Sequence, residues 1–141
     1  MKQLFFYALM IPFFTGMISC STSKSVDIQS LNGKWTIVEV EGNKVSGEKM
    51  PFIVFNMADL KVNGNGGCNM FHTSIIPNEK DKSAFTMKPA AATMMACPNM
   101  NMESSIFKTF ELISGVKAGA AENEIQLVDA NGKVLLTLLK N

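Results

Sequence analysis

The chain has 141 residues, the length of a single domain. With 47% hydrophobic and 18% charged residues, it is too apolar for a disordered chain, and its 10 Gly and 5 Pro follow no collagen-like period. The 13 basic residues are all Lys, set against 12 acidic ones for a net charge of +1. Without a basic excess or Arg forks, nucleic acid is not an expected partner.

Residues 1–19 read as an address. Lys2 gives a short positive start, and Leu4 to Ile18 is an almost wholly apolar run interrupted by Pro12. About 15 apolar residues suit a signal peptide and are short for a membrane span. The run ends in Met17-Ile18-Ser19-Cys20, which resembles the lipobox of bacterial lipoproteins. That resemblance implies cleavage before Cys20 and acylation of Cys20 by chains such as palmitate, which makes the membrane a partner through the anchor. Met17 stands where Leu is more usual. Ser21 follows the Cys, with no Asp there, which points by analogy with lipoprotein sorting to the outer membrane, facing the periplasm. Residues 20–141 carry 12 Lys and 12 acidic side chains, so attraction to polyanions is not built into them. Residues 20–30 are polar and without apolar period, as in a tether, leaving 31–141 as the folded domain.

The elements of that domain follow in order. Lys34 to Glu41 alternates as a strand, with Trp35 and Ile37 on one face and Thr36, Val38 and Val40 on the other. Phe52 to Met57, Leu60 to Asn63, Met70 to Ile76 and Ala84 to Lys88 are further strands. Between Asn99 and Gly115, the residues Met102, Ile106, Phe107, Phe110 and Ile113 recur with helical period. Asn99 or Asn101 is the expected cap, and Gly115 the expected stop. Glu124 to Asp129 and Lys133 to Leu139 alternate on either side of Ala130-Asn131-Gly132, a hairpin signal. The pattern predicts a mainly β (α+β) fold: a small antiparallel β-barrel-like domain with one covering α-helix. The helix stripe is expected to meet Trp35 or the Phe52–Phe55 strand.

With Cys20 assigned to lipid, Cys68 and Cys97 remain. In an exported domain two Cys most often pair, and closing a loop of 29 residue steps stabilises by about 3–4 kcal/mol in the chain-entropy model. The alternatives are two buried free thiols, or a bond formed only under oxidative stress.

Leu31-Asn32-Gly33-Lys34-Trp35, Gly64 to Cys68-Asn69, and Thr93-Met94-Met95-Ala96-Cys97 with the helix behind it resemble, in that order, motifs of the META domain, the family of the heat-shock lipoprotein HslJ. The terminal Leu127-to-Lys133 hairpin fits as well, so the resemblance spans roughly residues 31–139. It implies a compact barrel-like domain, often exported or lipid-anchored, with stress and motility associations and no general catalytic activity. Met94 departs from the family's Arg or Lys, and His72-Thr73 lies where a Gly is common.

Candidate chemistry is thin. Asn63-Gly64-Asn65-Gly66-Gly67 lacks the Gly-Lys-Ser/Thr ending of a phosphate loop and reads as turn-building. Asn69 and Thr93 are candidates for ligand or turn contacts. Cys68 and His72 on one strand would lie about 13 Å apart, too far for a nucleophile and its base. One His and two distant Cys make no zinc template. Five of the Met residues fall between positions 87 and 102; without regular Met–His runs they read as gap fillers and adaptable surface rather than a copper site. The expectation is a non-enzymatic, cofactor-free envelope lipoprotein that binds an envelope protein or serves in envelope stress. The alternative is a periplasmic lysozyme or protease inhibitor built on a β-barrel.

Overall fold

The computed structural model describes residues 24–98 and 100–140; the leader at 1–19, Cys20 and Asn99 lie outside them. The elements run η1 (Ile28–Leu31), β1 (Gly33–Val40), β2 (Asn43–Lys44), β3 (Phe52–Asn56), β4 (Lys61–Asn65), β5 (Met70–Pro77), β6 (Phe85–Met87), β7 (Ala91–Ala92), α1 (Asn101–Phe110), β8 (Gly115–Ala118), β9 (Glu124–Val128) and β10 (Val134–Lys140). Eight strands follow one another in the order β6-β5-β4-β3-β1-β10-β9-β8, with β2 beside β1 and β7 beside β5. The named strand pairs are antiparallel. The two ends of the row meet through an Ala84–Gly115 bridge. Phe85 N donates to Ser114 O at 3.1 Å and Val116 N to Ser83 O at 2.9 Å. Among the described residues, the expected mainly β barrel with one covering helix is therefore what the chain forms.

Alternation carries the barrel wall. In β4 and β9, buried Val62, Ile125 and Leu127 point into the core between more exposed neighbours. β1 departs from the expected faces. A register shift between Ile37 and Glu39 inserts one residue and reverses the parity, so Val40 joins Trp35 and Ile37 in the core instead of facing away from them.

Each end of the barrel has its own cover. At one end lies η1, where the Asp27 side chain accepts from Gln29 N and caps the turn. Ile28 and Leu31 are buried, and Leu31 O accepts from Trp35 Nε1 at 2.6 Å. The polar stretch expected to be tether to residue 30 is thus folded from Ser25 onward: Ser25 bridges to Lys117, and Val26 packs on the core. Two apolar side chains among polar neighbours suffice, because a short 3-10 turn buries only one side. This end also carries Lys140, opposite Trp35, and the loop joining Ala118 to Glu124.

At the other end lies α1, shorter than the sequence period suggests. Met100 precedes it without a side-chain cap, and it stops at Phe110. Ile113 is still buried, but the chain has already turned towards β8. Gly115 is no helix stop: a Cβ there would sit 2.9 Å from Ser83 O, so the missing side chain lets the barrel seam close. Phe107 and Phe110 meet Phe71 of β5, with ring centroids 5.6 and 4.9 Å away. Trp35 belongs to the η1 end and is not the aromatic partner of the helix.

Candidate functional site

The densest polar construction sits where the turn after β4 meets the first turn of α1. Gly64 starts it: a Cβ there would strike Phe52 O and lie 2.9 Å from the Phe71 ring, so the ring covers the bare backbone. The turn is then held locally. Gly66 N donates to Asn69 O at 3.0 Å, and Gly67 N to Asn65 Oδ1 at 2.7 Å. Gly67 has φ +119°, a conformation that glycine adopts without steric cost.

Glu103 fastens this turn to the helix. It is 4% exposed. Its Oε2 accepts from Cys68 N at 3.0 Å and Asn69 N at 2.6 Å, and its Oε1 accepts from Asn69 Nδ2 at 2.6 Å. Asn69, 2% exposed, passes the network on: its Oδ1 accepts from Thr93 Oγ1 at 2.9 Å and Met95 N at 2.7 Å, and its Nδ2 donates to Met95 O at 3.3 Å. Thr93 Oγ1 in turn accepts from Met70 N at 3.1 Å. Cys68 and Cys97 are joined by a disulfide, with Cα atoms 6.2 Å apart. Turn, loop and helix are therefore locked by one covalent bond and a buried network whose polar atoms all have partners.

Asn69 and Thr93, the candidate contacts from sequence, do come together. What they hold is the protein's own backbone. His72 is exposed on the outer face of β5, paired with Asn63 and Ala91, and the Cys68 sulfur is committed to its bond. Among the described residues, no group of three or more His, Cys, Asp or Glu could hold a metal ion. A recess of about 210 Å³ opens over the disulfide, lined among others by Lys49, Gly66, Met102 and Glu103. Beside the network, Met94 is 97% and Met95 56% exposed.

Sequence reasoning did not single out Glu103. The signal was Gly66. A Cβ at Gly66 would lie 2.8 Å from Glu103 Cγ and 3.0 Å from Phe107 Cζ, so this glycine marks a close approach rather than a bare turn.

Motif order, barrel and disulfide converge with the family comparison: the model of the META domain matches residues 27–141. The chain belongs to the META domain family. This META domain also resembles two solved structures. One, an NMR structure of a protein from Burkholderia xenovorans, is 15% identical with TM-score 0.63, covering 100% of this chain and 99% of that one. The other, a DUF4847 family protein from Bacteroides vulgatus ATCC 8482, is 13% identical with TM-score 0.54, covering 79% and 94%. At these identities the likeness is one of fold. No curated protein matches the chain.

Proposed function

We propose that this META domain is a lipid-anchored protein of the bacterial cell envelope, held through Cys20, and that it acts by binding or by supporting the envelope under stress, without catalysis. The observation that carries this reading is the apolar run from Leu4 to Ile18 ending in Met17-Ile18-Ser19-Cys20, placed shortly before Ser25, which is already bridged to Lys117 of the domain. The main buried polar cluster supports the non-catalytic part, since Glu103 and Asn69 spend their hydrogen-bonding capacity on Cys68, Thr93 and Met95. The outer membrane, with the domain facing the periplasm, is the proposed location. Metabolic labelling with a fatty acid tests the reading: the wild-type chain takes up label and begins at Cys20, and Cys20→Ser takes up none. A wild-type chain without label, starting elsewhere, defeats it.

The inhibitor reading has one observation in its favour. The 93–97 loop is fixed at its backbone by Asn69 and the disulfide while it exposes Met94 and Met95, and a preorganised loop loses little entropy on binding. A lysozyme or protease recovered in stoichiometric amount from an envelope extract would favour it.

A further inference from the structure

We infer that the η1 end of the barrel is a membrane-facing surface, seated on the phosphodiester headgroups of the bilayer that carries the acyl anchor, while the disulfide end points away. The inference rests on the Cys20 anchoring proposed above.

The argument is one of reach. Ser25 is fixed to Lys117 by a backbone bridge, Val26 is packed on the core, and Ile28 is buried. Five residue steps separate Cys20 from Ser25, and a fully extended chain spans at most about 18 Å over that length. A domain of this size has a radius of gyration of roughly 13–14 Å, hence a diameter of roughly 35 Å. The tether is about half of that. It cannot pass around the barrel to bring the α1 end to the lipid, so the end where the chain emerges must face the bilayer.

That end suits the position. A groove of about 700 Å³ opens there, lined among others by Lys24, Trp35, Lys117, Glu122, Glu124 and Lys140. Lys140 Nζ stands 5.1 Å from the centroid of the buried Trp35 ring. The Glu124 carboxylate is engaged by its own loop, accepting from Ala120 N at 3.0 Å. Lysine stems can lie along the groove walls while their ammonium groups reach phosphate oxygens. With equal numbers of Lys and acidic residues after Cys20, the orientation comes from tether length and not from net charge. It therefore needs no anionic lipid.

The test is trace amine acetylation of the acylated protein in phosphatidylcholine vesicles, read by peptide mass. Lys24, Lys117 and Lys140 should react about fivefold or more slowly than in the soluble Cys20→Ser form, because amines at the lipid interface are shielded. Lys49, beside the disulfide recess, and Lys133, paired with Glu41 at 3.0 Å, should react alike in both. Inserting about ten Gly-Ser residues after Thr22 roughly triples the reach and should restore the reactivity of the three lysines. No acyl mass on the Cys20 peptide overturns the anchoring reading and this inference with it. Acyl mass with uniform lysine reactivity, or protection that survives the insertion, overturns this inference alone.

Discussion

Asn69 and Glu103, 34 residues apart in sequence, meet through two hydrogen bonds of 2.6 Å, one from the Asn69 backbone and one from its side chain. Both residues are almost fully buried. Removing either leaves donors or acceptors of the other without a partner, and each buried group so orphaned costs about 1–3 kcal/mol. Glu103→Ala should therefore destabilise the domain by about 2–4 kcal/mol. Glu103→Gln should cost less but still be measurable, because the amide that replaces one carboxylate oxygen cannot accept. Chemical denaturation of the two variants beside wild type checks this; a Glu103→Ala midpoint equal to wild type would contradict the network's role.

The aromatic triad predicts a graded series. Phe71 and Phe110 are buried and Phe107 only partly so. Truncation of a buried Phe to Ala costs about 3–5 kcal/mol through lost burial and a residual cavity, so Phe71→Ala and Phe110→Ala should lower the thermal midpoint most. Phe107→Ala should fall between them and Glu111→Ala, whose side chain is exposed and whose effect should stay within about 0.5 kcal/mol. An unchanged midpoint for Phe107→Ala together with loss of a partner would recast the helix as a docking face.

The disulfide predicts a loss without collapse. Replacing Cys68 and Cys97 together by Ser frees a loop of 29 residues, for a loss of about 2–4 kcal/mol. The Glu103 bonds to the Cys68 and Asn69 amides do not involve sulfur, so the double variant should still fold. Urea titration and amide exchange measure this together: a lower midpoint is expected, with the Asn69 amide still protected.

Gly64 predicts a backbone effect that no surface inspection would suggest. An added methyl group meets the Phe52 carbonyl in the neighbouring strand and the Phe71 ring. Gly64→Ala should force β3 and β4 apart and cost about 2 kcal/mol or more. Gly42→Ala serves as its comparison: Gly42 has φ +82° but open space around its Cα. A Gly64→Ala domain as stable as wild type would show that the sheet can relax there.

The barrel was legible where period and turn chemistry agreed. Asn131-Gly132 forms its hairpin, with Gly132 at φ +82° and the Asp129 amide bonded to Lys133 O at 3.0 Å. The Cys68–Cys97 bond agrees with the pairing expected from two Cys if the domain is exported. β8 was hidden because Gly115 follows a helical stripe and looks like its end, whereas its job is to let Ser83 approach. η1 was hidden because Ile28 and Leu31 are too few to make a period. The parity switch in β1 left no mark, since Val38 and Val40 suit either face of a strand. Glu103 was the deepest omission: its partners are distant in sequence, and locally an acid in a first helical turn is stabilised by the helix dipole alone, so nothing nearby marks it as buried.

The pairing of β1 with β10 sets Trp35 against Lys140, so the first long strand finds its neighbour in the last. Such a contact has almost the largest sequence separation the domain permits, and folds dominated by non-local pairing are slow to form. The barrel wall cannot be completed until synthesis has reached its final strand. If the chain is carried across a membrane, this arrangement keeps the emerging polypeptide open for threading, and places closure of the barrel after passage of β10.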